Sequence, residues 1–204
     1  MKKRKFATAL ACFGGFILWT VLVQFVHVRP IGPEGSGVGF AALNGWFHNL
    51  TGVHMALYTI TDWLSLIPLG FAAGFGLLGL IQLIQGRLER SIVVLGIFYV
   101  VVLACFAFFE VVVINYRSVL IEGVLEASYP SSTTMLCLCV MPTAVMQLRS
   151  RGCRRWLSVI LTAFTIFMVA ARAISGVHWI TDIIGGILLS AALVEFYDAR
   201  VRDS

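Results

Sequence analysis

Charge is what this sequence has least of: Lys, Arg, Asp and Glu make up 12% of its 204 residues, about half the share of an ordinary soluble domain. With 59% apolar residues beside it, that scarcity excludes a conventional water-soluble fold. Too little polar sequence remains for a separate soluble domain, and no internal repeat is evident. The cysteines are few and scattered: Cys12, Cys105, Cys137 and Cys139 fall inside apolar runs and Cys153 in a basic loop, which matches neither zinc spacing nor a disulfide pair. His48 and His54 lack a carboxylate companion and so make a poor metal pair. No small-x-small cleavage site follows the first apolar run, so the run after Lys2-Lys3-Arg4-Lys5 reads as a span and not as a secretory signal.

What is present is a succession of long apolar segments. Six can cross a bilayer, at about 6–28, 57–85, 91–114, 131–148, 156–174 and 180–197. They predict an all-α integral membrane protein, a bundle of six transmembrane helices forming one domain over 1–204. The basic residues orient it. Lys2, Lys3, Arg4, Lys5, Arg87, Arg90, Arg149, Arg151, Arg154, Arg155, Arg200 and Arg202 fall on one side, predicted to be cytoplasmic together with both termini. The net charge of +5 therefore reflects topology and does not point to nucleic acid. Arg29, Arg117 and Arg172 are left for the outer face.

The first outer loop places Phe40, Leu43, Trp46, Phe47 and Leu50 at helical spacing, which predicts a short helix lying in the membrane interface. Such a helix either gates a lipid head group or rests on its own bundle. Gly74-x-Gly76-x-x-Gly79 fits a dinucleotide pattern, but inside a span it reads as close helix packing.

The chemistry gathers elsewhere. In Ala171-Arg172-Ala173-Ile174-Ser175-Gly176-Val177-His178-Trp179-Ile180-Thr181-Asp182, a carboxylate four residues after a histidine can fix one ring proton and leave the other nitrogen free as nucleophile or base. The neighbouring arginine suggests an anionic substrate, most simply a phosphate. The loop before the fourth span begins at Arg117 and ends at Pro130-Ser131-Ser132-Thr133, where hydroxyls and free N–H groups at a helix start can cradle an anion. Topology brings Arg117, residues 130–133, Arg172 and His178 to the same outer face.

With these residues the chain resembles the type-2 phosphatidic acid phosphatase superfamily of membrane lipid phosphatases, whose bacterial members include undecaprenyl-diphosphate and phosphatidylglycerophosphate phosphatases. The family pattern S-R-x5-H-x3-D is met at Arg172, His178 and Asp182, with Ala171 in place of the leading serine. The second motif, P-S-G-H, reads Pro130-Ser131-Ser132-Thr133, and the first, K-x6-R-P, reads Glu110, six residues, Arg117, Ser118. The family's lysine and its second-motif histidine are thus absent.

The resemblance implies that His178 attacks phosphorus to form a phosphohistidine and that Asp182 orients its imidazole. It further implies that Arg117 and Arg172 clamp the phosphate, that Ser131, Ser132 and Thr133 line its binding site, and that neither a metal nor a cofactor is needed. The absent histidine is the family's acid for the leaving oxygen. An alkoxide leaves with a pKa on the order of 16, a phosphate monoester with one of roughly 6. Loss of the acid therefore favours a lipid diphosphate, polyprenyl diphosphate in type, over a phosphomonoester such as phosphatidic acid or phosphatidylglycerophosphate. Glu110 and Glu126 are the candidate replacement acids. A non-catalytic relative that only binds a phosphorylated lipid is the other reading; it needs the arginines and not His178.

Overall fold

A computed structural model describes residues 2–201; Arg202, counted above among the cytoplasmic charges, lies outside the described residues. The described chain is helical, without strands, in the order α1 Lys2–Phe25, α2 Ala41–Thr51, α3 Met55–Leu64, α4 Leu66–Ile84, α5 Arg90–Val111, α6 Ser132–Ser150, α7 Arg155–Ile174 and α8 Ile180–Val201. Among the described residues five stretches are long and apolar enough to cross a membrane: Lys3–Phe25, Met55–Ile84, Arg90–Val111, Arg155–Ile174 and Ile180–Val201.

The sixth expected span, 131–148, forms α6 but does not reach that apolarity. The reason is its position. α6 packs against α4, α5, α7 and α8, so most of its surface meets protein, and its polar side chains are satisfied there. Thr143 donates to Cys139 O at 2.8 Å, and Gln147 Nε2 donates to Tyr197 Oη at 2.7 Å. The expected span 57–85 is divided into α3 and α4 at Ser65. Pro68 has no N–H for the carbonyl of Leu64, and the Ser65 hydroxyl instead donates to Asp62 O at 2.5 Å.

α7 shows how composition sets the packing. Its buried residues Leu161, Thr165, Met168 and Arg172 recur at helical spacing and turn inward, while Val159, Ile160, Ile166 and Phe167 remain on the outside. Ion pairs tie one end of the bundle: Lys5 to Glu195 at 3.0 Å and to Asp198 at 2.9 Å, and Arg151 to Glu89 at 2.6 Å. At the opposite end Trp19 Nε1 donates to Thr181 O at 3.0 Å and His54 N to Ser175 O at 2.9 Å.

α2 lies at that second end with its polarity inverted. Asn44 points inward, donating to Gly39 O at 2.7 Å and to Thr181 Oγ1 at 3.0 Å, whereas Trp46 and Leu50 face outward. It thereby braces the first turn of α8.

Candidate active site

Three segments converge beyond the helix ends. The first is the loop from residue 112 to 131. Ile121 and Val124 exchange backbone hydrogen bonds of 3.1 and 2.9 Å around Glu122 and Gly123, which have φ of 52° and 79°. Positive φ at both central residues makes a type I′ hairpin turn, for which the glycine is well suited. The ladder continues through Arg117 N to Glu126 O at 3.0 Å and Ser128 N to Asn115 O at 2.9 Å. Alternate residues of an extended chain share a face, so Asn115 and Arg117 on one arm meet Glu126 and Ser128 on the other.

The second segment is the turn between α7 and α8, which carries His178. Gly176 has φ of 69°, and a Cβ there would stand 1.9 Å from Gly52 O, so only glycine allows this crossing. Ser118 donates its hydroxyl to Gly176 O and closes the hairpin loop onto the same turn. The third segment is the first turn of α8. Asp182 accepts from Trp179 N at 3.2 Å, the bond of a third helical residue reaching back to cap its own helix.

His178 and Asp182 are buried, but the carboxylate does not hold the imidazole directly, as the spacing had suggested. Ser128 stands between them: its Oγ lies 2.9 Å from His178 Nδ1 and donates to Asp182 Oδ2 at 2.6 Å. The reason is local. Because His178 precedes α8 and Asp182 lies inside it, the two are not one helical turn apart on a common face. Asp182 Oδ1 in turn accepts from Asn115 Nδ2 at 2.9 Å. The relay sets the tautomer. With Nδ1–H donated to Ser128, the Nε2 lone pair is directed at Arg117 Nη1, 3.1 Å away. Burial, and then the positive charges of Arg117 and Arg172, hold the His178 imidazole well below its usual value, so it remains neutral.

The two arginines share a platform: the Tyr58 ring lies 4.4 Å from the Arg172 guanidinium carbon and 5.6 Å from that of Arg117. Arg172 is 1% exposed; its Nη2 donates to Thr133 Oγ1 at 2.6 Å and its Nη1 to Tyr58 O and Thr61 Oγ1, both at 3.2 Å. Arg117 Nε lies 2.9 Å from Glu126 Oε2 at an angle that makes no hydrogen bond. Arg172 Nε is likewise buried without an acceptor. Two buried guanidinium groups with N–H to spare, beside a neutral imidazole, have the donor chemistry an anion would need.

The other expected residues divide. Thr133 belongs to the site through Arg172, and Ser132 lines an adjoining cavity of about 390 Å³ with Asp62, Tyr99 and Phe106. Ser131 serves structure more directly: its N–H donates to Asp182 O at 3.1 Å and its hydroxyl accepts from Thr134 at 3.1 Å. Glu126 pairs with Arg117, whereas Glu110 forms no ion pair among the described residues. Also among the described residues, no group of three His, Cys, Asp or Glu side chains is placed to hold a metal.

Sequence reasoning missed Asn115, Ser128, Tyr58 and Asp62. Asp62 left a signal, being the sole charged residue between Met55 and Ile84. Its Oδ1 lies 3.4 Å from Arg172 Nη2.

Residues 109–199 match the family model described as PAP2 superfamily. No curated protein sequence matches. Among solved structures, the chain is similar to a transmembrane PAP2-type phosphatidylglycerolphosphate phosphatase from Bacillus subtilis, at 18% identity and a TM-score of 0.56, over 96% of each chain. At that identity the likeness concerns the fold.

Proposed function

This chain belongs to the PAP2 superfamily, and from that premise we propose that it is a membrane lipid phosphatase working through His178 on a lipid diphosphate of the polyprenyl type. The observation that carries this reading is the relay from Asp182 through Ser128 to Nδ1, which leaves Nε2 unprotonated beside Arg117. In the first step Nε2 bonds to the terminal phosphorus while the bridging oxygen departs with its electron pair as lipid monophosphate. Arg117 and Arg172 hold the non-bridging oxygens, and the buried Asp182 balances the charge that develops on the imidazole. Water then cleaves the phosphohistidine. No step calls on a metal or a cofactor.

The diphosphate preference rests on Thr133, which supplies a hydroxyl where an imidazole would be needed to protonate an alkoxide. A second reading is a phosphomonoesterase acting on phosphatidylglycerophosphate, favoured by the fold likeness to a phosphatidylglycerolphosphate phosphatase. In either case the cavity of about 390 Å³ below Thr133, walled by α4, α5 and α6, suits a lipid tail.

The disposition in the membrane belongs to the same proposal. α6 crosses as a sixth helix shielded by its neighbours, α2 rests in the outer interface on Trp46 and Leu50, and both termini lie in the cytoplasm with the site outside. Phosphate release from matched diphosphate and monoester lipids tests the substrate assignment: a higher kcat/KM for the diphosphate supports it, and a higher value for the monoester transfers the function to the second reading.

A further inference from the structure

If His178 becomes phosphorylated, a water molecule must attack the phosphohistidine and some group must accept its proton. Thr133 has no basic atom for this. Asp182 is fully buried and its two oxygens already accept from Ser128, Asn115, Trp179 N and Thr181. Glu126 is held at 2.9 Å by Arg117, a tighter ion pair than the 3.4 Å one of Asp62 with Arg172, and Glu110 forms no ion pair with either arginine among the described residues.

Asp62 differs from all of these. It comes from α3, outside the segment that matches the family, and reaches the same Arg172 Nη2 that holds Thr133. Its side chain is 61% exposed, while Arg172 opposite is 1% exposed. It shares the lining of the 390 Å³ cavity with Ser132 and with Thr133, the residue that accepts from Arg172. A single acid inside a 30-residue apolar stretch is costly to keep there without a task.

We propose that Asp62 is a catalytic residue, the base that activates water for hydrolysis of phosphorylated His178. The assignment rests on the phosphohistidine reading above. As the water oxygen bonds to phosphorus, the P–Nε2 bond breaks, its electron pair returns to the imidazole, and the water proton passes to the Asp62 carboxylate and then to solvent. The first step needs no proton when the leaving group is a lipid monophosphate, so Asp62 acts on the second step alone.

The test is a rapid-mixing experiment on purified full-length protein in detergent, with a short-chain prenyl diphosphate radiolabelled at its terminal phosphorus. The comparison includes Asp62→Asn, Asp62→Glu and His178→Ala. Asp62→Asn is expected to release a burst of about one equivalent of prenyl monophosphate and to accumulate labelled phosphoprotein. Its steady-state phosphate release falls about 10²-fold or more, the usual weight of a positioned base, and Asp62→Glu recovers part of the rate. A wild-type steady-state rate in Asp62→Asn overturns the assignment. So does loss of both burst and label in an Asp62→Asn protein that keeps its Tm and remains monodisperse, because Asp62 would then only position Arg172. Failure of the underlying reading looks different: the wild-type protein is inactive, or turnover survives in His178→Ala, and Asp62 then has no phosphohistidine to serve.

Discussion

At the scale of residues, the site depends on which atom of His178 is committed and which is free. Ser128 commits Nδ1, and that side chain links two groups the sequence pattern had joined directly. Ser128→Ala should therefore leave Nδ1 and Asp182 without their shared partner and lower kcat by about 10- to 100-fold with little change in KM. The loss of a relay hydrogen bond of roughly 1.5–3 kcal/mol sets that range, and steady-state kinetics in detergent would show it. A second expectation concerns pH. Because the folded-state value of His178 lies below the ordinary 6.5, the imidazole is still unprotonated where a free one is half charged. The acid limb of kcat/KM should then fall below pH 6.5, once the substrate's own ionisation near roughly pH 6 has been divided out. An acid limb at or above 6.5 would mean that the imidazole is neither buried nor repelled by Arg117 and Arg172.

At the scale of elements, close approach does much of the positioning. A Cβ on Gly185 would stand 2.5 Å from the Tyr129 ring, whereas one on Gly14 would meet nothing within 4 Å. Gly185→Ala should lower stability by about 1–3 kcal/mol through overpacking and displace the Tyr129–Ser131 segment, while Gly14→Ala, in open space inside a helix, should not lower Tm and should leave activity unchanged; thermal melting of both variants decides it. The elements themselves were largely legible, since long apolar runs announce helices whatever surrounds them. α6 was legible as a helix, but its modest apolarity could be explained only by the neighbours that enclose it. In the site, Arg172, His178 and Asp182 could be read because they sit on one short segment with fixed spacing. Ser128 and Asn115 could not, because a hairpin at Glu122-Gly123 folds them onto Asp182 from more than fifty residues away. Asp62 could have been found, as a charge alone in an apolar span.

At the scale of the whole molecule, the chain separates its two ends. Basic and acidic residues tie one end, and the buried arginines, imidazole and carboxylate occupy the other. Cys153 is exposed in the turn after α6 at the first of these ends, and Cys137 and Cys139 are buried. If that end faces the cytoplasm, a membrane-impermeant maleimide should label Cys153 only after cells expressing the chain are permeabilised; labelling of intact cells would reverse the orientation. The central claim is that this bundle end is a phosphatase whose nucleophile is His178. The most direct measurement is phosphate release from a polyprenyl diphosphate by purified protein with a chelator present, beside His178→Ala. The account predicts turnover by the wild-type protein and none by the variant. Equal release from both, or none from the wild-type protein on any lipid phosphate, would contradict it.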